Sequence, residues 1–198
     1  MKEINVKGTV RTALGKKAAR DIRKANAVPC NLYGEAKNEN GAPQALSFTA
    51  TNDELRNLIY SPDIYAVNLN IDGKECKAVL KEIQFHPVKD NVLHVDFYEI
   101  TENKPIVMEV PIKLNGLAEG VKAGGRLAAS VRKLKVKALY TNIPERLNID
   151  VTNLGLGKTI KVGELSFEGL ELITSKEVVV CQVKMTRSAR SAAAASEK

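Results

Sequence analysis

Tyr65-Ala66-Val67-Asn68-Leu69-Asn70-Ile71-Asp72-Gly73-Lys74-Glu75-Cys76-Lys77-Ala78-Val79-Leu80 alternates apolar and polar residues on both sides of an Asp-Gly pair. Two alternating runs separated by Asp-Gly predict a β-hairpin, because both turn residues must tolerate positive φ. The second strand continues to His86. Pro87 to Asn91 then forms a turn, and Val92 to Ile100 returns as another strand. Toward the N-terminus, Gln44 to Phe48 reads as a strand. Thr51-Asn52-Asp53-Glu54 is a capping-box pattern opening a helix to about Tyr60, with Leu55, Leu58 and Ile59 on its apolar face. Residues 35–43 read as a polar loop. Cys30 to Tyr33 is a short strand ending at Gly34.

Lys16 to Ala25 has helical spacing. Ala18, Ile22 and Ala25 make an apolar stripe, leaving Lys16, Arg20, Arg23 and Lys24 as a basic face. Val28-Pro29 ends that helix, since a residue before proline avoids the helical region. Ile4, Val6, Gly8 and Val10 alternate with Asn5, Lys7 and Thr9 as a half-buried strand. About six strands and two helices in the first hundred residues point to a small barrel or curled sheet.

Thr101 to Pro105 reads as a linker. Beyond it, Ile106–Leu114, Val131–Leu139, Leu147–Val151, Ile160–Val162 and Val178–Met185 read as strands between Gly- and Pro-containing turns, with at most a helical turn near Leu165. The expected organisation is therefore mainly β with short helices: residues 1–100, residues 101–185 as a mostly β domain, and a disordered Ser/Ala-rich tail over residues 186–198.

The net charge of +7 is unevenly placed. Residues 1–24 hold eight Lys/Arg and two Asp/Glu, residues 25–100 hold six and eleven, and residues 101–198 hold sixteen and ten. Positive charge is thus concentrated at the N-terminal edge, in the stretch Arg126–Lys137 and in the tail, which hints at a polyanionic partner. No apolar run reaches the roughly 20 residues of a membrane span. The N-terminus alternates and lacks the apolar stretch of a secretion signal, so a cytoplasmic address is expected.

Cys30, Cys76 and Cys181 are too far apart for metal-ligand spacing and read as buried thiols. No phosphate loop, GxGxxG or nucleophile elbow is present. The glycines of Gly116 to Gly125 read as turn residues. An enzyme is not expected. A hydrolase built on His94 and Asp96 would need an adjacent nucleophile, and none can be named.

Two groups of residues carry a binding reading. One is the basic set Arg11, Lys16, Lys17, Arg20, Arg23 and Lys24, suited to nucleic-acid phosphates or simply to solvent. The other is Gln84-Phe85-His86-Pro87 with His94-Val95-Asp96-Phe97. Leu93, Val95 and Phe97 are expected on one side of their strand, and His94, Asp96 and Tyr98 on the other; Gln84 shares a face with His86. One allowed hairpin register sets Gln84 opposite His94. Donors and acceptors on a flat sheet suit the shallow minor groove of RNA, or form an ordinary exposed face.

These residues, taken in order, resemble the bacterial large-subunit ribosomal protein family numbered twenty-five, whose longer two-domain members are called Ctc or general stress protein. The resemblance rests on Arg11-Thr12-Ala13-Leu14-Gly15-Lys16, Ala18-Ala19-Arg20-Asp21-Ile22-Arg23, Val28-Pro29 to Tyr33-Gly34, and Gln84 to Phe97. In the second half, Val110-Pro111, Leu114-Asn115-Gly116, Gly120 to Gly125 and Ile143-Pro144-Glu145 look like the long form. It implies an N-terminal six-stranded β-barrel bound to loop E of 5S rRNA in the central protuberance of the large (50S) subunit, beside rRNA and ribosomal proteins. Arg11, Lys16, Arg20 and Arg23 would contact phosphates; Tyr33, Gln84, His86, His94 and Asp96 would meet the RNA or hold the face in shape, Asp96 by accepting from a 2′-hydroxyl or base amine or by orienting His94. No cofactor is implied, magnesium ions being held by the RNA. Asp21, Ala19 and Phe85 depart from the basic, hydroxyl and arginine residues common there. The alternative function is a protein–protein module or stress-related accessory factor with an incidental basic surface. For the second domain, Lys133, Lys135 and Lys137 share one strand face, which would touch rRNA, a neighbouring protein or only water.

Overall fold

The computed structural model describes residues 1–34, 45–101, 104–187 and 189. The loop expected at 35–43 lies outside them. Two compact units are present, one formed by Met1–Lys104 with Leu139–Thr141, the other by Pro105–Ala138 with Asn142–Lys198.

The first unit contains β1 (Lys2–Val10), α1 (Lys16–Lys24), β2 (Ala27–Tyr33), β3 (Leu46–Thr51), α2 (Asn52–Ile59), β4 (Tyr65–Ile71), β5 (Lys74–Phe85) and β6 (Val92–Glu99). Its six strands close into a barrel in the order β1-β3-β2-β6-β5-β4. Pairs β1–β4 and β2–β6 are parallel; the others are antiparallel. Inward residues Val6, Val28, Cys30, Phe48, Val67, Leu69, Val95 and Phe97 form a core that Leu55 and Leu58 of α2 complete. The Phe48 and Phe97 rings meet with centroids 5.8 Å apart. Gly8 is required here: a Cβ on it would lie 2.6 Å from the Phe48 ring.

The hairpin turn forms at Asp72 (φ 49°) and Gly73 (φ 88°), the left-handed pair expected of a two-residue turn. The Asp72 carboxylate also accepts from Val10 N at 2.8 Å, tying the turn to the end of β1. Thr51 caps α2 by accepting from Glu54 N. The strand predicted from Cys30 begins at Ala27 and contains Pro29. β3 pairs along this whole stretch while the β6 register starts only at Cys30, so the missing proline N–H costs the sheet no bond to β6.

The second unit contains β7 (Ile106–Asn115), α3 (Glu119–Lys122), β8 (Arg126–Ala129), β9 (Lys133–Ala138), β10 (Leu147–Asp150), β11 (Thr159–Lys161), β12 (Glu171–Leu172) and β13 (Val179–Lys184). These form a four-stranded sheet, β10-β7-β9-β12, and a three-stranded sheet, β11-β13-β8. The buried residues include Ile106, Val110, Leu134, Val136, Leu147, Val180 and Val183. Sequence periodicity missed α3, β8 and β12. Each is four residues or shorter, and β8 is alanine-rich. The tail expected to be disordered from residue 186 is anchored at its start: Thr186 Oγ1 donates to Gly124 O at 2.6 Å, Ala189 N donates to Thr186 Oγ1 at 3.2 Å, and Ala189 is buried. Residues 188 and 190–198 lie outside the described residues.

Candidate nucleic-acid interface

The outer face across β5, β6 and β2 collects four of the candidate residues, Tyr33, Gln84, His94 and Asp96. Gln84 of β5 is the Cα partner of His94 on β6, one of the registers the turn allows. Next comes a row of Glu82, Asp96, Asn31 and Ser47, one residue from each of β5, β6, β2 and β3. Ser47 donates to Asn31 Oδ1 at 3.0 Å. Tyr98 and Tyr33 follow as partners, their rings edge to face with centroids 5.9 Å apart. His94 Nδ1 lies 3.4 Å from Asp96 Oδ1, and each side chain is about one-fifth exposed (19% and 22%). The face is therefore a hydrogen-bonding surface with an aromatic edge. Burial pushes the Tyr33 phenol up, and the charges of Asp96 and Glu82 add to it, so Tyr33 stays a proton donor at neutral pH.

Two bulges shape this face. Lys81 is an extra residue in β5, which turns Leu80 inward while Glu82 and Gln84 stay outward. Leu93 is an extra residue in β6. Strict alternation put Leu93 on the same side as Val95 and Phe97, the side that proves to be the core. Instead Val92 is buried and Leu93 is half-buried, because the bulge reverses parity. The Leu93 carbonyl accepts from Arg23 Nε at 3.0 Å, which fastens α1 beside the sheet.

His86 departs from its expected place on a strand with Gln84. It lies beyond the end of β5, and its Nδ1 accepts from Val88 N and Lys89 N, both at 3.2 Å. The ring thus shapes the turn and carries any remaining hydrogen on Nε2. It lines a groove with Arg20, Arg23 and Lys24 of α1, Arg56 of α2 and Lys89. Arg56 and Lys89 were missed by sequence reading because their cationic neighbours are distant in the chain.

Helix α1 has no buried residue. Ala18, Ala19 and Ile22 are half-covered, whereas Ala25, expected on the stripe, is the exposed C-cap. Lys16, Arg20 and Arg23 are exposed. Gly15 provides no side-chain cap and the first turn holds no acid, so its free N–H groups and Lys16 and Lys17 present only positive charge. Arg11, just past β1, donates from its backbone to Ser47 O at 3.1 Å. Its Nε is enclosed and has no partner among the described residues.

The remaining chemistry is sparse. Cys30 points into the barrel, and burial pushes its thiol up to about 12, which removes it as a nucleophile for His94. Among the described residues no three His, Cys, Asp or Glu side chains gather as a metal ion requires. In the second unit, Lys135 lies 3.9 Å from Glu109 and Lys137 lies 3.2 Å from Glu171, so the lysine row of β9 is largely neutralised by adjacent strands.

A closed six-stranded barrel with a polar sheet face and a cationic helix tied to its rim defines the first unit as a small β-barrel domain. Comparison with known proteins gives the family. Residues 6–97 match the ribosomal L25p family, and residues 105–187 match the C-terminal domain of ribosomal protein TL5. The chain is 67% identical over 198 residues to large ribosomal subunit protein bL25 of Phocaeicola vulgatus, covering all of both chains. It is 63% identical to the Bacteroides thetaiotaomicron protein of that name, again over all of both chains, and 56% identical to that of Porphyromonas gingivalis, over 98% of each. The chain belongs to the bL25 family of large ribosomal subunit proteins, in its long two-domain form.

Proposed function

We propose that this protein is a non-enzymatic constituent of the large (50S) ribosomal subunit, that residues 1–100 bind loop E of 5S rRNA in the central protuberance, and that it supports translation there. Its partners are then 5S rRNA and neighbouring rRNA and ribosomal proteins, its location the cytoplasmic ribosome. It needs no cofactor of its own, the magnesium ions being held by the RNA. The observation that carries this reading is the joining of the polar face to α1 through the Arg23–Leu93 bond. It puts phosphate-binding cations beside a flat set of donors and acceptors, the combination that a wide RNA minor groove accepts. In this arrangement Arg11, Lys16, Arg20 and Arg23 neutralise phosphates. Tyr33, Gln84, His94 and Asp96 reach 2′-hydroxyls and base edges, and His86 holds the turn beside them.

Binding of the full chain to a loop E fragment, measured across a salt series, tests this. Binding should be tight and weaken with salt. Arg20→Ala should flatten the plot of log affinity against log salt by about one unit, since each lost phosphate contact removes about that much. Gln84→Ala should lower affinity with little change of slope. Absence of binding at low salt ends the proposal.

A further inference from the structure

We infer that the outer face of the three-stranded sheet β11-β13-β8, in the second unit, is a separate contact for an RNA phosphate backbone, made by Arg126 and Lys184. The two sheets of this unit differ in charge. The four-stranded sheet carries Lys113, Lys133, Lys135 and Lys137 against Glu109, Asp150 and Glu171, and two of its lysines are paired. The strands of the three-stranded sheet contain no Asp or Glu at all. Lys161 on that sheet is balanced by Glu177, in the loop before β13, at 2.9 Å.

Arg126 and Lys184 are not balanced. They are direct Cα partners in the antiparallel β8–β13 ladder, both are exposed, and neither has an ion pair among the described residues. Like charges facing each other across a strand pair cost stability, so the arrangement calls for an anion that offsets it. The neighbouring outward row is Thr159, Gln182 and Ala128, small or neutral side chains that let a backbone come close. This row offers a protein partner no aromatic anchor. The inference rests on the ribosomal reading only in choosing RNA as the polyanion.

The experiment uses the full chain and two probes, a perfectly paired RNA duplex and the loop E fragment, each across a salt series. Arg126→Ala/Lys184→Ala should lower duplex affinity roughly tenfold or more and the salt slope by about two units. The charge-retaining exchange Arg126→Lys/Lys184→Arg should keep both. The alanine variant should melt at or above the wild-type temperature, because repulsion has been removed. An unchanged slope overturns the inference. So does a fall in melting temperature of several degrees, which would make these residues part of the fold. Loss of binding to polyglutamate with unchanged RNA binding would assign the face to an acidic protein and also overturn it. If instead Arg20→Ala/Arg23→Ala leaves loop E binding intact while the Arg126/Lys184 variant loses the duplex, the proposal for the first unit falls and this one stands.

Discussion

Asp96 is the residue whose chemistry most needs explaining, since on the proposed function a carboxylate on this face would repel phosphates. It lies beside His94 and in register with Asn31, and under that proposal it holds the imidazole and accepts from a 2′-hydroxyl. Asp96→Asn separates these from simple repulsion. Hydrogen bonds to a charged group contribute about 1.5–3 kcal/mol, so the variant should bind loop E roughly tenfold or more weakly, with the salt slope near that of wild type. Tighter binding in an anisotropy titration would mean the carboxylate is only a repulsive neighbour. The facing of His94, Asp96 and Tyr98 was legible from alternation alone. The enclosure of Arg11 Nε was not, because it depends on what the closed barrel places around it.

Elements were legible where a local pattern sufficed. The Asp72-Gly73 turn forms as its residues demand, yet the bond from Val10 N to the Asp72 carboxylate joins positions sixty-two apart and has no local signature. Asp72→Ala loses that bond and forces alanine to positive φ. It should destabilise the first unit by about 1–2 kcal/mol in chemical denaturation; a loss under about 0.5 kcal/mol would mean the staple contributes nothing. The bulges at Lys81 and Leu93 were invisible, because an extra residue is defined only by the strand it faces. They matter to the site, since the Leu93 bulge holds the carbonyl to which Arg23 attaches α1. Helix α1 itself was legible, but not that it would dock by that bond and three half-covered residues rather than by a buried stripe.

For the molecule as a whole, the candidate face depends on a core that keeps neighbouring strands in register. Phe97 is fully buried between Asp96 and Tyr98 in the chain and packs on Phe48 of β3. Phe97→Ala should cost about 3–5 kcal/mol. Hydrogen exchange should report the loss as weaker protection across β2, β3, β5 and β6, and a change confined to β6 would mean the barrel does not respond as one core. Charge was read correctly in its distribution along the chain but not in its pairing. The lysines of β9, prominent in sequence, meet Glu109 and Glu171, whereas Arg126 and Lys184, fifty-eight residues apart, meet each other.

Period, turn chemistry and capping act between residues a few positions apart, so they specified the six strands, the two helices of the first unit and the outward set on β6 before any fold was known. Strand order, barrel closure, bulge positions and the joining of α1 to Leu93 arise from residues brought together across long stretches of chain. Their energies depend on partners whose identity only the folded register supplies.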